Sequence, residues 1–153
     1  MITDNLGEGD SMLIHNILSE DLSNKCKNIS FLKDEIDFRD MRHGGTPVAR
    51  RVALQGEIID ETMPLYRTPT DYLLPFNKWT TTVEEIKKEL EEFFGDSFNH
   101  VKIQLYRNGK DYITKHSDKT LDIKIGTKIV NLNLGATRHF ALKNKKTAAY
   151  KGT

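Results

Sequence analysis

A chain of 153 residues is long enough for one domain with its own core and too short for two comfortable ones. Hydrophobic residues at 37% and charged residues at 29% exclude a disordered chain and a membrane protein built of apolar spans. The formal charge of +1 gives no global basic field for nucleic acid, and Cys26, the only cysteine, excludes an intramolecular disulfide framework. The acidic N-terminus has no signal-peptide pattern, so a cytoplasmic or nuclear location is expected.

Residues 1–11 are polar and glycine-containing and read as a loose leader, with a single domain over 12–153. Met12 to Leu18 is a short apolar run, and Ser19-Glu-Asp-Leu resembles a helix start. Ile29, Leu32 and Ile36 recur at helical spacing, which places a helix within Asp21 to Ile36. His43-Gly-Gly-Thr-Pro reads as a turn, and Val48 to Ile59 as a strand bent at Gln55-Gly56-Glu57. Pro64, Pro69 and Pro75 make Met63 to Trp79 a shaped loop, whose Tyr66, Tyr72, Phe76 and Trp79 either pack over the core or cover a substrate.

Thr81 and Glu84, or Thr82 and Glu85, are spaced for a capping box. Val83, Ile86, Leu90 and Phe93 then form one apolar stripe, and Gly95 supplies the stop. Beyond this helix the period falls to two. Val101, Ile103 and Leu105 alternate with Lys102, Gln104 and Tyr106, and Asn108-Gly109 makes a turn. Tyr112 to His116, Lys128 to Leu134 and His139 to Lys143 are the next extended runs. The fold class is therefore mainly β with flanking helices (α+β), a sandwich or barrel with helices laid against it.

The run Tyr106 to Asp118 ends in His-Ser-Asp. On an extended strand, residues two apart share a face, so His116 and Asp118 would project together. One imidazole and one carboxylate are two thirds of a facial triad for non-haem iron. By itself the tripeptide is a weak signal, equally that of an ordinary polar strand end.

Its surroundings narrow the reading. Q-L-Y-R-N-G-K-D, then H-S-D, then I-V-N-L-N-L-G-A-T-R-H-F-A-L-K resemble the AlkB-like Fe(II)/2-oxoglutarate-dependent dioxygenases, most of all their eukaryotic members. The resemblance is specific from Val101 to Lys146 and fainter through Val48 to Phe76. It implies a double-stranded β-helix (jelly-roll), expected to be incomplete at the C-terminus here. It implies His116 and Asp118 as ligands of Fe(II), and Tyr106 and Gln104 as contacts of the 2-oxoglutarate co-substrate, with O2 as oxidant. Gln104 stands where many members have Asn. His139 follows Arg138 and does not match the family's second histidine ligand.

Two departures qualify the match. The family's distal His, and the Arg that pairs with the far carboxylate of 2-oxoglutarate, find no counterpart in the residues after His116. The polypeptide by itself is therefore expected to bind iron weakly and not to turn over. Repair members also carry another acid just after the ligand Asp, where this chain has Lys119 and Thr120. Tyr66, Tyr72 and Trp79 could stack on a base, and Arg50, Arg51, Arg67 and Lys115 could meet phosphate; Tyr66, Arg67, Lys115 and Lys119 are the candidate substrate residues. Loop packing and solubility explain each of these equally well. The leading expectation is oxidative demethylation of alkylated DNA or RNA. The alternatives are a non-catalytic binding or regulatory remnant of the same fold, and a dioxygenase acting on a protein or small molecule.

Overall fold

The computed structural model describes residues 1–64, 74–145 and 150–152. Strands predominate among them, with three helices. Two compact units divide the chain: residues 29–131, and residues 1–28 together with 132–153.

In the terminal unit, β1 (Ile2–Leu6) pairs antiparallel with β2 (Ser11–Ile14), so part of the segment expected to be a loose leader is a strand. Helix α1 (Glu20–Lys27) begins as its sequence indicates: the Ser19 side chain accepts a hydrogen bond from Leu22 N at 3.3 Å. Leu22 and Cys26, one turn apart, are its buried residues. Asn28, with φ −84° and ψ 85°, ends it. The single helix expected over 21–36 is thus two, the second being α2 (Ile29–Glu35). Near the C-terminus, β7 (Ala141–Lys143) pairs with β8 (Tyr150–Gly152).

The larger unit is organised on β4 (Thr46–Gly56). It pairs with β3 (Arg39–His43) along its first half, with β5 (Phe76–Lys78) in parallel at its end, and with β6 (His100–Leu105) from Arg51 to Gly56. Arg51 and Val52 pair with both β3 and β6, and Leu54 to Gly56 with both β5 and β6. A strand has only two edges, so β3 and β5 follow one another along one edge and β6 takes the other. The β3–β4 connection is the turn expected at Gly44-Gly45, whose φ values of 55° and 79° are those that tight hairpins demand. The reading of 63–79 as loop is corrected at Phe76–Lys78, where a parallel partner on β4 overrides the nearby proline.

The two faces of the β4–β6 pair differ. Ala53 and Gln55 of β4 share one face with Val101, Ile103 and Leu105 of β6. This is the helix side. Buried Gln55 accepts there from Thr80 N and Oγ1 at 3.0 and 3.1 Å. Thr80 is the N-cap of α3 (Thr81–Phe94), yet its side chain does not cap the helix. The carboxylate of Glu35, at the end of α2, accepts from Thr82 N at 3.0 Å and from Thr82 Oγ1 at 2.7 Å. A remote acid therefore takes the place of the expected capping box, set against the positive end of the helix. Glu35→Ala should lower stability by about 1–3 kcal/mol, because it leaves a buried hydroxyl and a helix-terminal amide without their acceptor. Chemical denaturation of the variant measures this. Gly95, with φ 67°, closes α3 by donating to Glu91 O at 2.9 Å. Val83 and Leu90 are buried as the stripe requires, but Phe93 stays half exposed.

The second half departs most from expectation. Among the described residues no strand lies between Leu105 and Ala141. Leu121 and Ile125 are 81% and 98% exposed, and Ile129 is 53% exposed. Alternating residues become a strand only where a neighbouring edge accepts their backbone groups. The described strands form one four-stranded sheet and two two-stranded sheets. No helix among the described residues is long and apolar enough to cross a membrane.

Candidate functional site

The other face of the β4–β6 pair carries the residues singled out by the sequence. Cross-strand register pairs Val52 with Gln104 and Leu54 with Lys102, so both β6 side chains lie on the face that also holds Arg50, two residues before Val52. Arg50 Nε donates to Gln104 Oε1 at 2.5 Å. With its carbonyl oxygen engaged, the Gln104 amide has its NH2 as the end for donating to a ligand. Tyr106 follows β6 and is half-buried.

From there the chain is steered toward His116 by a fastened turn. Asn108 Oδ1 accepts from Lys110 N at 2.8 Å and Asn108 O from Asp111 N at 3.2 Å. Asp111, 4% exposed, accepts from Arg107 N, Nε and the guanidinium Nη2 at 2.9, 2.7 and 2.9 Å. This bond and the charges of Asp111 and Asp40 hold the Arg107 guanidinium even further toward its protonated form. Tyr112 N then donates to Ala49 O at 3.0 Å, so the chain regains the β4 edge beyond the end of β6. The Arg107–Asp111 clasp escaped the sequence reading. Its signal was an Arg and an Asp four residues apart on either side of Asn-Gly.

His116 and Asp118 meet without a strand to align them. His116 Nε2 lies 3.5 Å from Asp118 Oδ1, with both side chains about half exposed. His116 Nδ1 lies 2.7 Å from Thr114 O. A carbonyl only accepts, so Nδ1 carries a proton, and Nε2 is the ring nitrogen on the carboxylate side. Metal-binding histidines are commonly held in this way. The donor types and their mutual position thus fit two places on a divalent iron. Among the described residues no group of three His, Cys, Asp or Glu side chains could hold a metal ion.

Asp118 also reaches β6 electrostatically. The Lys102 ammonium is pushed below the usual lysine range by burial, and further by Arg50, while Asp118 acts in the opposite direction. Gln104, Lys102 and Arg50 share one face of the β4–β6 pair. Lys115 and Lys119, expected near the substrate, are exposed on either side of the His116–Asp118 pair. Tyr66, Arg67 and Tyr72 lie outside the described residues. Lys87 Nζ sits 5.6 Å from the Trp79 ring centroid.

The family model of the 2OG-Fe(II) oxygenase superfamily matches residues 10–151. The DNA oxidative demethylase ALKBH2 of Bos taurus is 30% identical over 67 residues, 44% of this chain and 24% of that protein. The alpha-ketoglutarate-dependent dioxygenase alkB homolog 3 of Bos taurus is 37% identical over 71 residues, 46% of this chain and 25% of that protein. Its Rattus norvegicus counterpart is 31% identical over 99 residues, 65% of this chain and 32% of that protein. The chain thus spans about a quarter to a third of the length of these curated relatives. With nearly its whole length matched by one family model, this chain belongs to the 2OG-Fe(II) oxygenase superfamily, among its AlkB-like members.

Proposed function

We propose that this chain provides part of an Fe(II)/2-oxoglutarate centre that oxidatively demethylates alkylated nucleic acid. The observation that carries the reading is the His116–Asp118 pair, with Nδ1 held by Thr114 O and Nε2 3.5 Å from the carboxylate. Iron and 2-oxoglutarate, when bound, supply the oxidation: O2 gives one oxygen atom to the N-methyl carbon and one to succinate, with CO2 released. The resulting N-hydroxymethyl group breaks down to formaldehyde and the free amine.

The chain's own residues do the positioning. His116 and Asp118 are the ligands in this reading, Gln104 and Tyr106 the contacts of the co-substrate. Thr114 O orients the imidazole, and the Arg107–Asp111 clasp sets the path of the backbone into the pair. Lys115 and Lys119 place two exposed cations beside it, which suits a polyanionic substrate. ALKBH2 is named a DNA oxidative demethylase, which supports the same substrate class.

Fluorescence anisotropy with Mn(II) in place of iron tests the substrate. A single-stranded oligonucleotide bearing one N-methylated base should bind several-fold more tightly than its unmethylated twin at low salt. Equal affinity for the two, or binding to neither, would overturn the nucleic-acid assignment.

A further inference from the structure

A cleft of about 350 Å³ opens on the helix side of the β4–β6 pair, the face away from Gln104. That volume falls within the roughly 300–1,000 Å³ of small-ligand sites. Arg51 of β4 and Leu105 of β6 are direct cross-strand partners and line it from the sheet. Ile36 and Phe38 follow α2, tied into a tight turn by Phe38 N donating to Ile36 O at 3.0 Å, and complete its apolar wall. Lys33, in the last turn of α2, and Arg107, just past β6, join Arg51 as its cations. Among the described residues the lining holds one carboxylate, Asp37, which is taken by Arg39 at 2.7 Å.

The cations already hold one oxyanion between them. Asp40 Oδ1 accepts from Arg51 Nε at 3.0 Å and lies 3.9 Å from Arg107 Nη1. The Asp40 side chain is 71% exposed and each guanidinium 43% exposed, so these screened surface pairs hold the carboxylate weakly. Arg107 is fixed from behind: its Nε and Nη2 donate to buried Asp111, which leaves Nη1 on the Asp40 side. Arg51 commits only Nε, and Lys33 has no ion pair among the described residues.

We propose that this cleft is a second binding site, for a phosphate monoester whose organic part rests on Ile36, Phe38 and Leu105. A monoester dianion has three terminal oxygens, one for each cation, where Asp40 brings a single oxygen to two of them. Guanidinium groups suit such an oxyanion because each offers several N–H donors in one plane. The phosphate displaces the exposed Asp40 side chain, and the Phe38 ring gives an aromatic base a surface to lie against. The chemistry is that of a nucleotide, free or at the phosphorylated end of a strand. The site goes beyond the Fe(II)/2-oxoglutarate reading and does not depend on it.

The test titrates the whole metal-free chain with thymidine 5′-monophosphate and follows the Arg51 and Arg107 Nε–H resonances by NMR. Both should move, and thymidine or inorganic phosphate alone should bind about tenfold more weakly. Asp40→Asn should tighten binding about three- to fivefold, because it removes the resident competitor. Arg51→Gln should weaken it about tenfold, and Lys33→Gln, at an exposed position, by a smaller factor in the same direction. A 5′-phosphorylated oligonucleotide that binds more tightly than the mononucleotide supports the site with strand ends as the source. Weaker binding of the oligonucleotide supports it with the free nucleotide as the source. An Asp40→Asn chain that binds no better than the wild type would overturn the proposal, as would Arg51 and Arg107 signals that ignore the nucleotide. So would inorganic phosphate binding as tightly as the nucleotide, or binding that disappears in His116→Ala, which would put the ligand at the metal centre instead.

Discussion

In His116→Ala the rise in thermal stability that Mn(II) gives the wild-type chain should vanish. A ligand that binds only the native state stabilises it by RT ln(1 + [L]/Kd), about 1.4 kcal/mol at tenfold excess over Kd. For a chain of this size that is a Tm increase of roughly 3–6 °C. The saturating Mn(II) concentration should be high, since two side-chain donors hold a divalent ion far less firmly than three. His116 is the residue to remove because its imidazole is already oriented: Thr114 O, 2.7 Å from Nδ1, holds the ring with Nε2 on the Asp118 side. Asp118→Asn should reduce the shift without abolishing it, since an amide oxygen still donates but its charge is gone. A variant lacking His116 whose Tm still climbs with Mn(II) like the wild type would remove His116 from the metal site. Because the side chain is half exposed, the metal-free variant should unfold close to the wild-type temperature, which keeps the comparison clean.

The pairing of His116 with Asp118 was legible from two letters and their spacing, but for a reason the structure replaces. A strand was expected to align them; instead, the Asn108 turn, the Asp111 clasp and the Tyr112–Ala49 bond bring the chain there and local backbone does the rest. Strand β6 and helix α3 were legible because their periodicities, two and 3.6, are written in the apolar residues themselves. What fastens α3 was not. Glu35 and Thr82 are 47 residues apart and Gln55 and Thr80 are 25 apart, and no local pattern encodes such meetings. Arg50 and Gln104, separated by 54 residues, are the same case within the site. The runs at 112–116 and 128–134 misled in the opposite direction. The alternation at 128–134 is genuine, but a strand is a property of a pair of edges, and the pattern of one segment does not tell whether the other is there.

Gly56→Ala should destabilise the chain by about 3 kcal/mol, at the upper end of the range for overpacking. Its backbone lies between β5 and β6 at the end of β4, paired with Lys78 on one side and His100 on the other. A methyl group there would stand 2.5 Å from Asn99 O, 2.6 Å from Phe76 Cζ and 2.8 Å from His100 Cβ. Carbon contacts are comfortable at about 3.5–4.0 Å, so every one of the three must give by an ångström or so. Phe76 could swing its ring, but Asn99 O cannot retreat cheaply: it accepts from Glu57 N at 2.8 Å, the bond that continues the β4–β6 ladder past Gly56. Relief of the clash therefore opens the sheet at its most buried strand, where Val52 is fully enclosed and Leu54 is 4% exposed. The expected fall in Tm is roughly 6–12 °C. The effect should also reach the site, because His100 leads into the strand that presents Lys102 and Gln104. A control in open space sharpens the test. Gly109 has nothing within 4 Å of where its Cβ would lie and needs no left-handed backbone, so Gly109→Ala should shift Tm by no more than a degree or two. Equal stability of the two variants would show that the β4–β5–β6 junction is not packed as tightly as these distances require.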